Sequence, residues 1–232
     1  MNFRETAFGS ALTSVLARIA AARQAAGTAA DVRLLAVSKT HPATAVRALH
    51  EAGQRAFGEN YVQEALAKQA ELADLAIEWH LIGPLQSNKC REAAERFDWL
   101  QTLDRAKLVD LLARHRPAGR APLNVLVQVN IDDEASKSGC APGDVDALAE
   151  AIAAQPALRL RGLMAIPAPS PDAAIRRTAF ARMRALFDAL RAKHRDVDTL
   201  SMGMSDDLDL AIAAGATMVR VGTALFGVRS IA

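Results

Sequence analysis

Cysteine is scarce in this 232-residue chain: Cys90 and Cys140 stand alone, with no Cys-x-x-Cys or Cys/His spacing around them. That argues against a disulfide scaffold or a structural zinc site and makes a reducing, cytoplasmic setting the expectation. Aromatics are only 4% of the residues and interleave with no basic stripe, so a stacking surface for nucleic acid is not supported. Charge of one sign is not in excess either, at a net +2. The N-terminus carries an acid at Glu5, and no later stretch reaches membrane-spanning length, so neither export nor insertion is expected. What is present is a large hydrophobic share, 51%, enough for one compact core. The expectation is a single domain over residues 1–232, with an N-terminal helix at about 4–26 and the remaining elements at about 32–228.

Short apolar runs alternate with helical patterns along the whole chain. The runs end at Ser38, Asn60, Gly83, Leu103, Asn130, Ala165, Ser201 and Leu225, and each is followed by a helix-like segment. Eight such βα repeats in one domain predict a (β/α)8 TIM barrel. A doubly wound open sheet would share the alternation, but no Gly-x-Gly-x-x-Gly follows the first run. Polar residues gather at the strand ends, Lys39, Asn60, Asn130, Ser201 and Thr223 among them, and in barrels of this kind that face carries the chemistry.

Lys39 ends the run Leu34-Leu35-Ala36-Val37-Ser38 and precedes Thr40-His41-Pro42, which stops the strand. An ammonium is costly to bury at such a mouth. The free amine is therefore favoured, and a neutral lysine at a mouth is suited to forming an imine with an aldehyde cofactor; a snorkelling or salt-bridged lysine is the structural alternative. Far along the chain, Ser201-Met202-Gly203-Met204-Ser205-Asp206-Asp207 leads a strand into a glycine turn and then a helix. With Ser205 as N-cap, the turn resembles a phosphate cup. Asp206 and Asp207 fit such a cup only if they point away from it. The next strand, Met218–Leu225, carries Arg220 in an apolar run with Gly222-Thr223 at its end, and a buried arginine requires an anionic partner, from a ligand or from the core. Phosphates in barrels tend to sit after strands seven and eight, where these two loops lie.

Seven segments together resemble the pyridoxal phosphate homeostasis protein family: Val37-Ser38-Lys39-Thr40, Phe57–Glu64, Trp79–Lys89, Ser136-Lys137-Ser138-Gly139, Arg161–Ile166, Ser201–Asp207 and Val219–Thr223. The order is the same, and no motif position departs. The resemblance implies a barrel like the N-terminal domain of alanine racemase, holding pyridoxal 5'-phosphate (PLP) as an imine. It implies Lys39 as the imine lysine and Asn60 against the cofactor ring. It places Ser201, Gly203, Met204 and Ser205 in the first phosphate loop and Gly222 with Thr223 in the second, and it implies Arg220 beneath the cofactor, on its phosphate or its pyridine side. Lys137 is either a mobile second amine that receives or releases the cofactor or a solvated loop lysine. His80, mid-strand among apolar residues, reads as a satisfied core histidine.

The racemases that share this barrel add a tyrosine base from a separate domain of a partner subunit, whereas Tyr61 is the one tyrosine here. The resemblance implies a role in vitamin B6 homeostasis, and the lone tyrosine makes the absence of catalysis the expectation. The protein would be a monomer carrying PLP on Lys39, binding neither nucleic acid nor membrane, with PLP-dependent apoenzymes as recipients. A PLP-dependent amino acid racemase, or a phosphate-sugar barrel enzyme without PLP, are the alternatives.

Overall fold

The computed structural model describes residues 3–132 and 138–227; Lys137 lies outside the described residues. Helix α1 (Phe3–Ala25) precedes β1 (Arg33–Val37), α2 (Ala43–Glu51), β2 (Ala56–Glu59), α3 (Val62–Glu71) and β3 (Glu78–Leu81). A short 3-10 turn, Ser87–Lys89, leads into α4 (Cys90–Arg96), then β4 (Trp99–Leu103), α5 (Ala106–His115) and β5 (Leu123–Gln128). The chain closes with α6 (Val145–Ala153), β6 (Leu158–Met164), α7 (Ala173–Lys193), β7 (Thr199–Ser201), α8 (Leu208–Ala213), β8 (Met218–Val221) and α9 (Thr223–Phe226). Among the described residues eight parallel strands form a closed barrel in sequence order, sealed where Leu35 of β1 faces Arg220 of β8. The predicted (β/α)8 architecture is the observed one.

The strands are apolar on both faces because both faces are covered. Outward residues such as Phe57, Leu81, Leu100 and Leu163 meet the helices, together with the fully buried Phe97, Phe180 and Phe187. Inward residues form smaller clusters: Leu35, Ala56, Ile82 and Met218 with Val37, and Trp99 with Leu126 and Met164. Lys39 and Asn60 lie two residues beyond the inward positions Val37 and 58, so the alternation of strand side chains carries them toward the barrel axis. A register shift beside Gly162 tightens the wall between β5 and β6. Its φ is +143°, and a Cβ there would lie 1.9 Å from the Thr199 carbonyl oxygen, so no side chain fits.

Helix α1 buries Leu12, Val15, Ile19 and Ala22 along one stripe, which stabilises by about 1.5–3 kcal/mol for each large side chain. It also reaches the site loops: Arg18 donates to the Ser205 carbonyl at 2.6 Å and pairs with Asp209. Two local expectations need correction. The eighth strand stops at Val221, where Gly222 breaks the run and Thr223 begins α9. The N-cap position of α8 is Asp207, and Ser205 lies in the turn before it. No described helix is long and apolar enough to cross a membrane, and no described cluster of His, Cys, Asp and Glu could hold a metal ion.

Candidate functional site: the barrel mouth

Strand ends bring Lys39, Asn60, Ser201 and Arg220 to the C-terminal mouth, with the 203–207 and 222–223 loops beside them. Lys39 is part-buried and makes no hydrogen bond or ion pair among the described residues. It occupies the second position of a turn closed by the His41 N–H donating to the Ser38 carbonyl at 3.1 Å. The third position is Thr40, at φ +66°. A β-branched residue in the left-handed region is strained by about 1–3 kcal/mol, and such strain persists only where its surroundings enforce it.

Those surroundings were not foreseen from the sequence. Lys68 of α3 is buried, and its ammonium donates to the Ser38 carbonyl, Glu59 Oε1 and Glu64 Oε1, each at 2.7 Å. Glu64 Oε1 also accepts the Thr40 N–H at 2.5 Å, and the Ser38 hydroxyl donates to Glu59 Oε1 at 2.5 Å. Both residues flanking Lys39 are thus tied to one ionic cluster. Burial pushes the Glu59 carboxyl upward, against the pull of the Lys68 charge and its hydrogen bonds. Glu59 Oε2 has no partner among the described residues.

On β8, the strand paired with β1, Arg220 is 3% exposed. Its guanidinium donates to the Ser201 carbonyl at 2.9 Å, the Ser201 hydroxyl at 2.8 Å and the Ala165 carbonyl at 2.8 Å, and among the described residues no carboxylate pairs with it. Burial lowers its pKa to about 10, with Asp207 pulling the other way, so it remains a cation at neutral pH. The hydroxyl hydrogen of Ser201 goes to Gln101 Oε1 at 2.7 Å, while its oxygen accepts from Arg220. Gln101 Nε2 then lies 2.9 Å from His80 Nδ1, and His80 Nε2 lies 2.7 Å from Glu78, which pairs with Arg33 at the barrel floor. Burial holds His80 neutral. Its two ring nitrogens are satisfied, one accepting from Gln101 and one donating to Glu78. Burial pushes Glu78 up, but the hydrogen bond from His80 and the charge of Arg33 hold it down, at about 2.

Glycines shape the loops. Gly203 has φ +89°, and a Cβ would fall 2.4 Å from the Ala211 Cβ, so the loop lies flush against α8, where the buried Gly203 carbonyl accepts the Arg220 backbone N–H at 3.0 Å. At Gly83 a Cβ would fall 2.0 Å from the Asn60 carbonyl oxygen, which fixes the β2 end against the β3 end. Asp206 is exposed as expected, but Asp207 turns inward: its Oδ1 accepts the Met204 N–H at 2.7 Å, closing the 204–207 turn. The Met204 amide is therefore committed, and its side chain is 40% exposed. The Thr223 and Ala224 amides open α9 and have no carbonyl within it to bond. The residues present fit a phosphorylated aldehyde: an amine unpartnered among the described residues, a buried cation with no carboxylate bonded to it and a glycine turn meet at one mouth.

Comparison with known proteins agrees. The chain matches the family model "Alanine racemase, N-terminal domain" over residues 11–230. It is 61% identical to the pyridoxal phosphate homeostasis protein of Pseudomonas aeruginosa over 94% of each chain. It is 53% identical to that of Escherichia coli K12, covering 90% of this chain and 91% of the relative. Among solved structures, PipY of Synechococcus elongatus with PLP bound superposes with a TM-score of 0.82 at 40% identity, covering 95% of this chain and all of that one. The chain belongs to the alanine racemase N-terminal domain family and, within it, to the pyridoxal phosphate homeostasis proteins.

Proposed function

We propose that the barrel mouth binds PLP, that Lys39 holds it covalently, and that the protein keeps and hands over this cofactor in the cytoplasm without turning over amino acids. The observation that carries the reading is the pairing of a free amine at Lys39 with a buried Arg220 that lacks a carboxylate. The PLP-bound structure of PipY, 40% identical to this chain, supports it. When bound, the cofactor supplies an aldehyde for the amine and an electron sink conjugated to it. The protein's own residues do the holding. Ser205, Gly203 and Met204 at the first loop and Gly222 with Thr223 at the second frame the phosphate. Arg220 supplies positive charge from below, and Asn60 borders the ring. Met204 contributes its place in the loop, since its amide is committed to Asp207.

Tyr61 precedes α3 and is 62% exposed, unlike a base held in a desolvated site. A reaction needing a proton on the face opposite Lys39 would forgo the roughly 100- to 10,000-fold that a positioned acid or base adds. PLP-dependent apoenzymes are the recipients this reading requires, and the carrier acts as a monomer. The test is the visible spectrum of the purified protein before and after borohydride. The expected result is a yellow protein with the trapped adduct on Lys39 and none in Lys39→Ala; an adduct on Lys89 or Lys137 would sink the assignment. Incubation with amino acids, assayed for both enantiomers and for keto acids, should show turnover well below about 1 per second, the low end of ordinary enzymes.

A further inference from the structure

The turn that presents Lys39 is held by groups to which the proposed cofactor site assigns no part. Thr40 adopts a conformation that a β-branched residue rarely takes, φ +66°, and nothing in its own chemistry favours it. Two tethers from α3 enforce it. Glu64 accepts the Thr40 amide at 2.5 Å, and Lys68 grips the Ser38 carbonyl at 2.7 Å, the same oxygen that closes the turn. Glu59 completes the cluster by joining Lys68 to the Ser38 hydroxyl. Lys39 is the one residue of the turn with no tether of its own, so its direction is set by its two neighbours.

We infer that Glu64 and Lys68 are positioning residues: they hold the strained 38–41 turn so that the Lys39 amine faces an incoming aldehyde at the barrel mouth. The inference rests on the PLP reading above and names the elements that make its lysine reactive. The step they serve is a condensation. The Lys39 nitrogen bonds to the aldehyde carbon, and the aldehyde oxygen leaves as water with the two hydrogens of the neutral amine. No oxidant or reductant is needed. Without the tethers the turn relaxes, and the amine samples directions from which it cannot attack.

Glu64→Ala is the decisive variant, because Glu64 is on a helix surface and only part-buried, whereas Lys68→Met would strand the buried Glu59 and risks unfolding. Three quantities are read on full-length apo protein: the rate of covalent capture of PLP by absorbance, the affinity for 4'-deoxypyridoxine 5'-phosphate, and the melting temperature. That analogue has the ring and phosphate but no aldehyde. Capture should slow by on the order of 10- to 100-fold, the scale of an ångström of misplacement, while analogue affinity changes less than about twofold. Glu64→Gln, which keeps an oxygen for the Thr40 amide, should recover much of the rate. Unchanged capture in Glu64→Ala overturns the inference, as does an equal fall in capture and analogue affinity, which marks general loosening. A wild type that binds neither compound removes the cofactor reading itself; one that binds both, with Glu64→Ala matching it, removes only the positioning role.

Discussion

Two cations are buried on neighbouring parts of the barrel, one behind β1 and β2 and one on β8, which pairs with β1, and they are treated differently. Lys68, beside β1 and β2, sits between two carboxylates and a carbonyl. Arg220, on β8, has only carbonyls and a hydroxyl. A buried charge with its counter-charge in place completes a structure, whereas one without requires an anion from outside. The β1–β2 side is thus a foundation whose cation has its carboxylates in place, and on the proposed reading the β7–β8 side is the receptor.

The contrast breaks most visibly through Lys68→Met. Removing the cation leaves Glu59 buried without compensation, so urea unfolding should show a loss of about 3–5 kcal/mol that added PLP does not selectively restore. Arg220→Gln should behave in the opposite way. It leaves acceptors partly unmet, at about 1–3 kcal/mol in the apo form, and abolishes most of the extra stability that PLP gives. For wild type that ligand increment is about 2.7 kcal/mol at a hundredfold excess over Kd. Equal holo-minus-apo melting differences in wild type and mutant would make Arg220 a purely structural residue.

Acid titration sharpens the same comparison. Glu78 anchors the relay that orients Arg220, and its folded pKa is about 2 against an ordinary 4.5. A depressed carboxylate contributes stability that is fully present above its unfolded pKa and is lost as pH falls through the folded value. Wild type should therefore lose stability between about pH 4.5 and 2, and Glu78→Gln should flatten that part of the curve. Glu59 is shifted the other way, so its contribution weakens as pH rises above about 4.5; a Glu59→Gln curve that still declined there would place the effect elsewhere. The smallest expected effect is at Thr40. Thr40→Asn, a residue that accepts the left-handed region, should raise stability by about 1 kcal/mol or less, measured by thermal unfolding.

Much of this was legible in the sequence because barrels announce themselves through alternation. Lys39, Ser201 and Arg220 were visible as polar interruptions at the ends of apolar runs. Glu64 and Lys68 were not, since Glu and Lys four apart on a helix read as a solvated surface pair. Glu59 at the end of β2 was the available clue: a strand residue pointing outward meets the following helix, not water. The relay through Gln101 and His80 was hidden for a related reason. Each is one polar residue in an apolar run, and only the closed barrel sets them side by side. The end of β8 was misjudged because Thr-Ala-Leu-Phe continues an apolar run, and a run alone does not separate strand from short helix.

The seam between β1 and β8 has a kinetic meaning. Leu35 and Arg220 face each other with most of the chain between them, so their pairing closes a very long loop. Contacts of such separation form late in folding. Lys39 and Arg220 flank that seam, so the two stand together only once β8 has docked against β1. On the proposed PLP reading, a chain emerging from synthesis completes its cofactor site only when this final strand is in place.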